Sequence, residues 1–214
     1  MSARTGWLAA AVAAGALASA GGDSALPPAD KQGRMTLEAA LEARRSVRRF
    51  AARALTAGEI GQLCWAAQGV TSPRGFRAAP SAGATFPLEL YVADAKGLWR
   101  YDPGRHALEA ARQGDVRPAL QEAALNQTCV GQAPAVFIIA ADASRTARRY
   151  GARAQRYVLI EVGHASQNLL LQAVALGLGG VAVGAFDDAK LNQALALPKG
   201  VEPLYLLPVG EPAK

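Results

Sequence analysis

The stretch YVLIEVGHASQNLLLQAVALGLGGVAVGAFDD, Tyr157 to Asp188, carries the strongest pattern in the chain. Val158, Val162, Ala165, Leu169, Ala173 and Leu176 recur at helical spacing, which predicts a helix from about Ala154 to Leu176. Its other faces are apolar as well, through Leu159, Leu170, Leu171 and Val174. A helix apolar nearly all round must be covered, so this one belongs at the centre of the fold or in a subunit interface. Gly177 to Gly180 end it. A strand from Val181 to Phe186, a helix over 188–196 and a last strand from Leu204 to Pro208 are expected to follow.

Upstream, Ala135 to Ala140 is a continuous apolar run of strand length, as expected for a strand covered on both faces. Leu88 to Val92 alternates and predicts a strand. A Lys96-Gly97 turn leads to a second strand, Leu98 to Tyr101, closed by the turn signal Asp102-Pro103-Gly104. Helices are predicted over 115–125, with Pro118 in the first turn, and over Arg145 to Tyr150. The clearest helix start is Thr56, an N-cap with Glu59 at N3, flanked by Leu55 and Ile60 as a hydrophobic staple. That helix runs to about Gln68, where Gly69 ends it. Thr36 opens a shorter helix that reaches Arg44. Residues 69–87 form a long loop rich in Gly, Ser, Pro and Arg, of the kind that carries function. Hairpins and crossovers are mixed, so the expected fold class is α+β rather than doubly wound α/β.

Composition narrows the function. With 214 residues, 51% hydrophobic and 19% charged, the chain is neither disordered nor coiled-coil. The net charge of +6 rests on 18 arginines and 5 lysines against 17 acids, which favours an anionic partner: nucleic acid, acidic lipid or a phosphorylated cofactor. The arginines cluster at Arg44, Arg45, Arg48, Arg49 and Arg53, and again at Arg145, Arg148, Arg149, Arg153 and Arg156. No DNA-reading module and no interleaved aromatics accompany them, so nucleic acid is not an expected partner. The second cluster reads as a solvated face or the lining of a substrate entrance.

Two motifs fail on context. Gly177-x-Gly179-x-x-Ala182 matches a dinucleotide-binding pattern but leaves a helix and enters a strand, the reverse of what phosphate binding at a helix N-terminus requires. Glu161-x-x-His164 is half of a carboxylate-bridged metal site without its second half, since His106 is the only other histidine. His164 is therefore expected to be a hydrogen-bonded core residue, and no metal is expected. Cys64 reads as a buried free thiol, with a Cys64–Cys129 disulfide as the alternative. Residues Thr5 to Gly22 are uncharged and apolar after Arg4. They read as a signal peptide over 1–20, cleaved near Ala18-Ser19-Ala20, which implies an exported, periplasmic protein. An uncleaved membrane anchor is one alternative; a cytoplasmic protein, with the segment no signal at all, is another. Residues 21–35 read as a flexible linker, leaving 36–214 as the folded domain.

Three segments in order resemble the FMN-dependent nitroreductase superfamily, over roughly residues 37–214. The first, Arg44-Arg45-Ser46-Val47-Arg48-Arg49-Phe50, is similar to the family's opening Arg-Arg/His-Ser-x-Lys/Arg-x-Phe motif. The resemblance implies that Arg44, Arg45 and Ser46 hold the flavin phosphate and ribityl chain, and that Arg48 lies near the pyrimidine edge. Guanidinium forks suit phosphate oxygens. The second, Ala79-Pro80-Ser81-Ala82-Gly83-Ala84-Thr85-Phe86-Pro87-Leu88-Glu89, lacks the Asn and Trp of the general family and is similar to the SagB-type dehydrogenase branch. It implies that Pro80, Ser81, Ala82 and Gly83 meet the isoalloxazine ring across a dimer interface. The third is the opening stretch itself, whose Val183, Gly184 and Ala185 would lie beside the reactive N5 side. The chain ends Val209-Gly210-Glu211-Pro212-Ala213-Lys214, where other members continue to further basic phosphate ligands; Lys214 is the candidate substitute.

The resemblance thus implies a nitroreductase-like three-layer α-β-α sandwich with a mainly antiparallel sheet, in an intertwined homodimer with FMN at the interface. The implied activity moves hydride or two electrons from a donor such as NAD(P)H to a nitroaromatic, a quinone or another small acceptor. No side chain is needed as nucleophile. Two other readings are a SagB-type dehydrogenase of peptide azolines and a non-catalytic flavin-binding envelope protein.

Overall fold

A computed structural model describes residues 23–214, so the 1–20 segment lies outside the described residues. One antiparallel sheet forms the middle layer. Its strands are β1 (Ser24–Ala25), β2 (Leu88–Ala93), β3 (Gly97–Asp102), β4 (Ala107–Gln113), β5 (Ala135–Ala141), β6 (Gly179–Gly180) and β7 (Glu202–Gly210), in the spatial order β1-β4-β3-β2-β5-β7-β6. The apolar run at Ala135 becomes β5, paired with β2 and β7, and all seven of its residues are buried.

Alternation along β2 and β5 sends side chains into two cores. Leu90, Val92, Phe137 and Ile139 face α2 (Ala57–Gln68) and α6 (Ala154–Ala175), which contribute Leu63, Ala67, Val158, Val162, Ala165 and Leu169. Tyr91, Val136 and Ile138 face the opposite layer of α3 (Arg117–Ala123), α4 (Thr128–Gln132) and α7 (Asp188–Leu195), through Leu120, Val130 and Leu191. The result is the expected three-layer α+β sandwich. Cys64 belongs to the first core and Cys129 to the second; both are free, so the sheet separates them and no disulfide forms.

The strong local signals resolve as expected. The α2 capping box is complete: the Thr56 hydroxyl accepts from the Glu59 N–H, and the Glu59 carboxylate accepts from the Thr56 N–H at 2.7 Å. Thr36 caps α1 (Leu37–Ala43), and α5 spans Ala143–Tyr150. Other elements differ from expectation. The stretch over 181–186 is not a strand: β6 is only Gly179–Gly180, and beyond it a single bridge joins Val183 to Leu206. Strand β4 has the sequence ALEAARQ, poor in the residues that favour strands, and forms because β3 lies beside it. His164 is exposed on α6 rather than in the core, because it sits on the face turned away from the sheet.

Residues 23–35, expected to be a flexible linker, form an extended arm fastened to the body. Ser24 and Ala25 pair with Leu108 and Ala107. His106 Nε2 lies 2.9 Å from the Pro27 carbonyl, with the Tyr101 hydroxyl 2.8 Å from its Nδ1. The buried Gln62 amide closes a two-bond ring with the Asp30 backbone: Nε2 donates to the carbonyl and Oε1 accepts from the N–H, both at 2.8 Å. Replacing Gln62 with leucine removes both bonds. Urea denaturation should show a loss of roughly 1–3 kcal/mol, together with faster proteolysis before residue 36. Unchanged stability and cleavage would show that the arm is held by other contacts.

Candidate active site

Residues 44–50 leave α1 and run beside the β6 edge of the sheet. Ser46 pairs with Gly180, and the Val47 N–H donates to the Gly180 carbonyl at 3.0 Å. Glycine is required at 179, since a Cβ there would lie 2.5 Å from a Val47 methyl. The C-terminal tail closes over the same segment. Ala51 N–H donates to the Glu211 carbonyl at 2.9 Å, Phe50 pairs with Pro212, and Ala213 N–H donates to the Arg49 carbonyl at 3.0 Å. The chain's last residue, Lys214, therefore stands next to Arg49.

The arginines of this cluster have different work. Arg53 is committed to Glu59 and Glu211, whose hydrogen bonds raise its pKa. Arg45 turns back and donates to the carbonyls of Glu42 at 2.7 Å and Arg44 at 2.8 Å, closing the end of α1. Arg44 is half-buried at that helix end, and Ser46, Arg48 and Arg49 are exposed. Arg48 is near enough to Cys129 to favour its thiolate, although burial dominates and pushes that thiol up.

The 183–185 turn stands at the same edge. Val183 is buried and exchanges both backbone hydrogen bonds with Leu206, at 2.8 and 3.0 Å, which leaves Gly184 and Ala185 exposed on the outer side. Gln127 Nε2 fixes the Ala185 carbonyl at 3.1 Å. A Cβ at Gly184 would press on the Tyr205 ring at 3.3 Å, so glycine keeps this turn low. The structure thus brings together the first and third sets of sequence-picked residues. They are arginines, one hydroxyl and exposed backbone, a donor set whose chemistry fits a phosphate-bearing planar cofactor.

The second set lies elsewhere. Pro80, Ser81, Ala82 and Gly83 belong to a loop held on the middle of α6. Glu161 of α6 accepts from the Ala82 N–H at 2.8 Å, and Asn168 Nδ2 reaches toward the Ala78 carbonyl at 3.5 Å. The loop backbone is unusual, with φ of 59° at Gly83, 54° at Ala84 and 45° at Phe86. Side chains over-determine it. Ser81 Oγ accepts from the Phe86 N–H at 2.9 Å, Thr85 Oγ1 donates to the Ala82 carbonyl at 3.0 Å and meets Thr146, and Arg145 donates to the Phe86 carbonyl at 3.3 Å. Arg77 stacks over the Phe86 ring at 4.6 Å.

Sequence reasoning did not find Glu161 in this role. It is only 4% exposed. Burial pushes its carboxyl above the usual carboxylate range, against the lowering effects of the Ala82 N–H, the Ser81 hydroxyl, His164 and Arg77. The second arginine cluster also divides. Arg145 pairs with Glu89 and Asp142, and Arg149 reaches toward the Gly83 carbonyl at 3.4 Å. Arg148, Arg153 and Arg156 are exposed, with no carboxylate within 4 Å among the described residues. A cavity of about 620 Å³ lies at the ends of β2 and β5, lined by Leu55, Ile60, Lys96, Arg117 and Pro134 and bordered by Ala51 and Ala52.

The chain belongs to the nitroreductase family, a family of oxidoreductases, whose profile matches residues 41–211. It is 46% identical over 180 residues to a candidate nitroreductase of Methanocaldococcus jannaschii, covering 81% of this chain and 90% of that protein. Among solved structures it resembles a candidate nitroreductase from Ralstonia eutropha, with a TM-score of 0.82 and 30% identity over 90% of both chains. It shares the fold of the NADPH:FMN oxidoreductase from Vibrio harveyi solved with NAD+, with a TM-score of 0.62 and 22% identity over 83% of this chain and 69% of that one.

The loop geometry makes a direct prediction. At Gly83 an added Cβ would meet the Tyr150 hydroxyl at 2.7 Å in a left-handed backbone. Gly83→Ala should therefore lose roughly 1–2 kcal/mol in thermal or urea unfolding. A neutral substitution would mean that the loop relaxes freely.

Proposed function

We propose that the protein is an FMN-dependent oxidoreductase that works as a homodimer. The observation that carries this reading is the convergence of the Arg44–Arg48 segment and the Val183–Ala185 turn on one sheet edge in a nitroreductase-family chain. Bound FMN would supply the two-electron chemistry, while the protein binds and orients. In this reading the Arg44 guanidinium and the Ser46 hydroxyl hold the phosphate end. Arg48 sets a positive charge beside the pyrimidine edge, and Gly184 leaves the approach to the ring open. Lys214, which follows Ala213 at the Arg49 carbonyl, would add charge at the phosphate. Arg45 can do so only by giving up its helix-end carbonyls.

Distances along α6 support the dimer. The loop at 80–83 is tied to Glu161, whereas the arginine segment lies past the helix's other end at Ala175. That span is about 21 Å at 1.5 Å per residue. A second copy packed antiparallel on α6 would bring its loop toward this chain's arginine segment. The surface suits such a partner: Leu159 and Ile160 on α6 and Leu37 and Leu41 on α1 are 47–60% exposed. Of these, Leu37 lines an apolar hollow of about 340 Å³ between α1, α2 and α6, together with Met35, Trp65 and Leu171. Apolar exposure on this scale marks an interaction face.

The donor is NAD(P)H or an organic substrate, and the acceptor a nitroaromatic, a quinone or a similar small molecule. The composition of the 79–89 loop supports a place in the SagB-type branch, with dehydrogenation of peptide azolines as the second reading. An exported location is part of the leading reading and rests on the apolar run after Arg4.

The deciding experiment is the absorbance spectrum of the purified protein, with identification of any released flavin. A flavin spectrum and release of FMN are expected, and a colourless protein that FMN neither binds nor stabilises would sink the reading. Within it, Arg44→Ala should weaken FMN binding by roughly 1.5–3 kcal/mol, about ten- to a hundred-fold in Kd, through loss of a charge-assisted bond. An unchanged Kd would remove Arg44 from the phosphate site.

A further inference from the structure

We propose that Glu161 is the positioning residue of the 80–86 loop, and that proton gain or loss at its carboxyl sets how firmly the loop is held. The assignment of this loop to the flavin rests on the reading above; the latch itself rests on the contacts and the burial of Glu161.

Three observations meet at this residue. First, Glu161 is the point at which α6 grips the loop, through the Ala82 N–H at 2.8 Å and the Ser81 hydroxyl. That same hydroxyl accepts from the Phe86 N–H, so one carboxyl is connected to both ends of the turn. Second, the turn it closes carries left-handed backbone at Ala84 and Phe86, neither of which is glycine. Such strain persists only where surrounding contacts impose it, and it collects at functional sites. Third, an acceptor for Ala82 did not have to be an acid. A glutamine would offer the same carbonyl oxygen without the cost of burying a charge. A carboxyl kept here, 4% exposed, gives the grip a second state that an amide lacks.

The charged and titratable groups around it are few. His164 and Tyr157 lie one turn away on α6. Arg77 approaches from the stretch before the loop, with Arg145 and Glu89 behind it. Tyr150 and Arg149 of α5 flank Gly83 on the far side of the turn. His164 and Arg77 favour the ionised carboxyl, and burial under the loop opposes it more strongly.

The sign follows by linkage. With the loop closed, the carboxyl titrates above its unfolded range; with the loop lifted, it is solvated and returns toward that range. Protonated Glu161 therefore favours the closed loop. Its contribution is fully present below the ordinary carboxylate pKa and is lost as pH rises through the raised one. The low-pH form is the latched form.

Hydrogen exchange of the Ala82 and Phe86 amides, in the full-length protein without added flavin and corrected for intrinsic rate, reads this directly. In the wild type, protection should fall as pH rises through the titration, by at most about ten-fold per pH unit, the limit for one proton. Glu161→Gln should keep protection high and independent of pH, and its urea midpoint should exceed the wild type's at pH 8 and meet it at pH 4. Glu161→Ala should lose protection at every pH, with Glu161→Gln as the rescue that separates positioning from mere packing. Equal protection profiles in the wild type and Glu161→Gln would overturn the proposal. A parallel titration with FMN should show a pH-dependent Kd in the wild type and a flat one in Glu161→Gln. If neither binds FMN, the flavin reading fails while the exchange result still decides the latch.

Discussion

Val158, Val162, Ala165 and Leu169 of α6 are at most 5% exposed against the sheet, whereas Leu159 and Ile160 on the same helix are about half exposed. The rest of the molecule is arranged around this asymmetry. One face of α6 closes the first core against β2, β5 and β7, and burial of each large side chain there is worth roughly 1.5–3 kcal/mol. The other face is left uncovered by the described residues. The helix also sets the positions of the functional segments, since the 80–86 loop is tied to its middle and the β6 edge follows its C-terminal end. Any change in how α6 sits on the sheet moves both segments together.

What could be read in the sequence divides by the range of the interactions. The α6 helix, the β5 strand and the Thr56–Glu59 cap are legible because their patterns are local: a helical apolar period, an unbroken apolar run and a box closed within three residues. Strand β4, the arm over 23–35 and the short β6 are not, because each depends on a distant partner. Ser24 needs Leu108, Asp30 needs Gln62, and the register of the 179–183 stretch is set by β7 and by Val47. The candidate site divides in the same way. Arg44, Ser46, Gly184 and their neighbours stand out as motifs. The role of Glu161 depends on an amide at residue 82, and nothing in the spacing of Glu161 and His164 pointed to it. That pair matched only half of a metal site and left a core histidine as the expectation; the structure turns His164 outward and Glu161 inward.

The positive-φ residues show where local rules are broken for a reason. Asn126 and Ala196 follow helices α3 and α7, where a left-handed residue ends a helix and, at Ala196, turns its N–H onto the Asn192 carbonyl. His106 sits in the β3–β4 turn and holds the Pro27 carbonyl. Ala84 and Phe86 end no regular helix and lie in a loop built from Gly, Ser and Pro. Their conformation is imposed from outside by Glu161, Thr146, Arg145 and Arg77, with Ser81 closing the turn from within. A loop that needs contacts from several elements to hold one shape is placed to present that shape to something else.

The positive charge finally resolves into separate uses. Arg53, Arg100, Arg105, Arg117 and Arg145 are paired with carboxylates and serve the fold. Arg45 closes a helix end. Arg44 and Arg48 remain at the β6 edge with Lys214 nearby, and Arg148, Arg153 and Arg156 remain around the start of α6. The β6 edge and the start of α6 are thus two places where several arginines stand together without a carboxylate within 4 Å among the described residues. Arg153 and Arg156 stand at the N-terminal end of a long helix, where the helix dipole opposes them. Arg149, which precedes them, reaches toward the Gly83 carbonyl, so the 80–86 loop borders this basic end of α6. An antiparallel copy on α6 would set the two basic regions of opposite chains along one shared groove, so that the same electrostatics could hold a phosphate at one end and draw an anionic substrate in at the other.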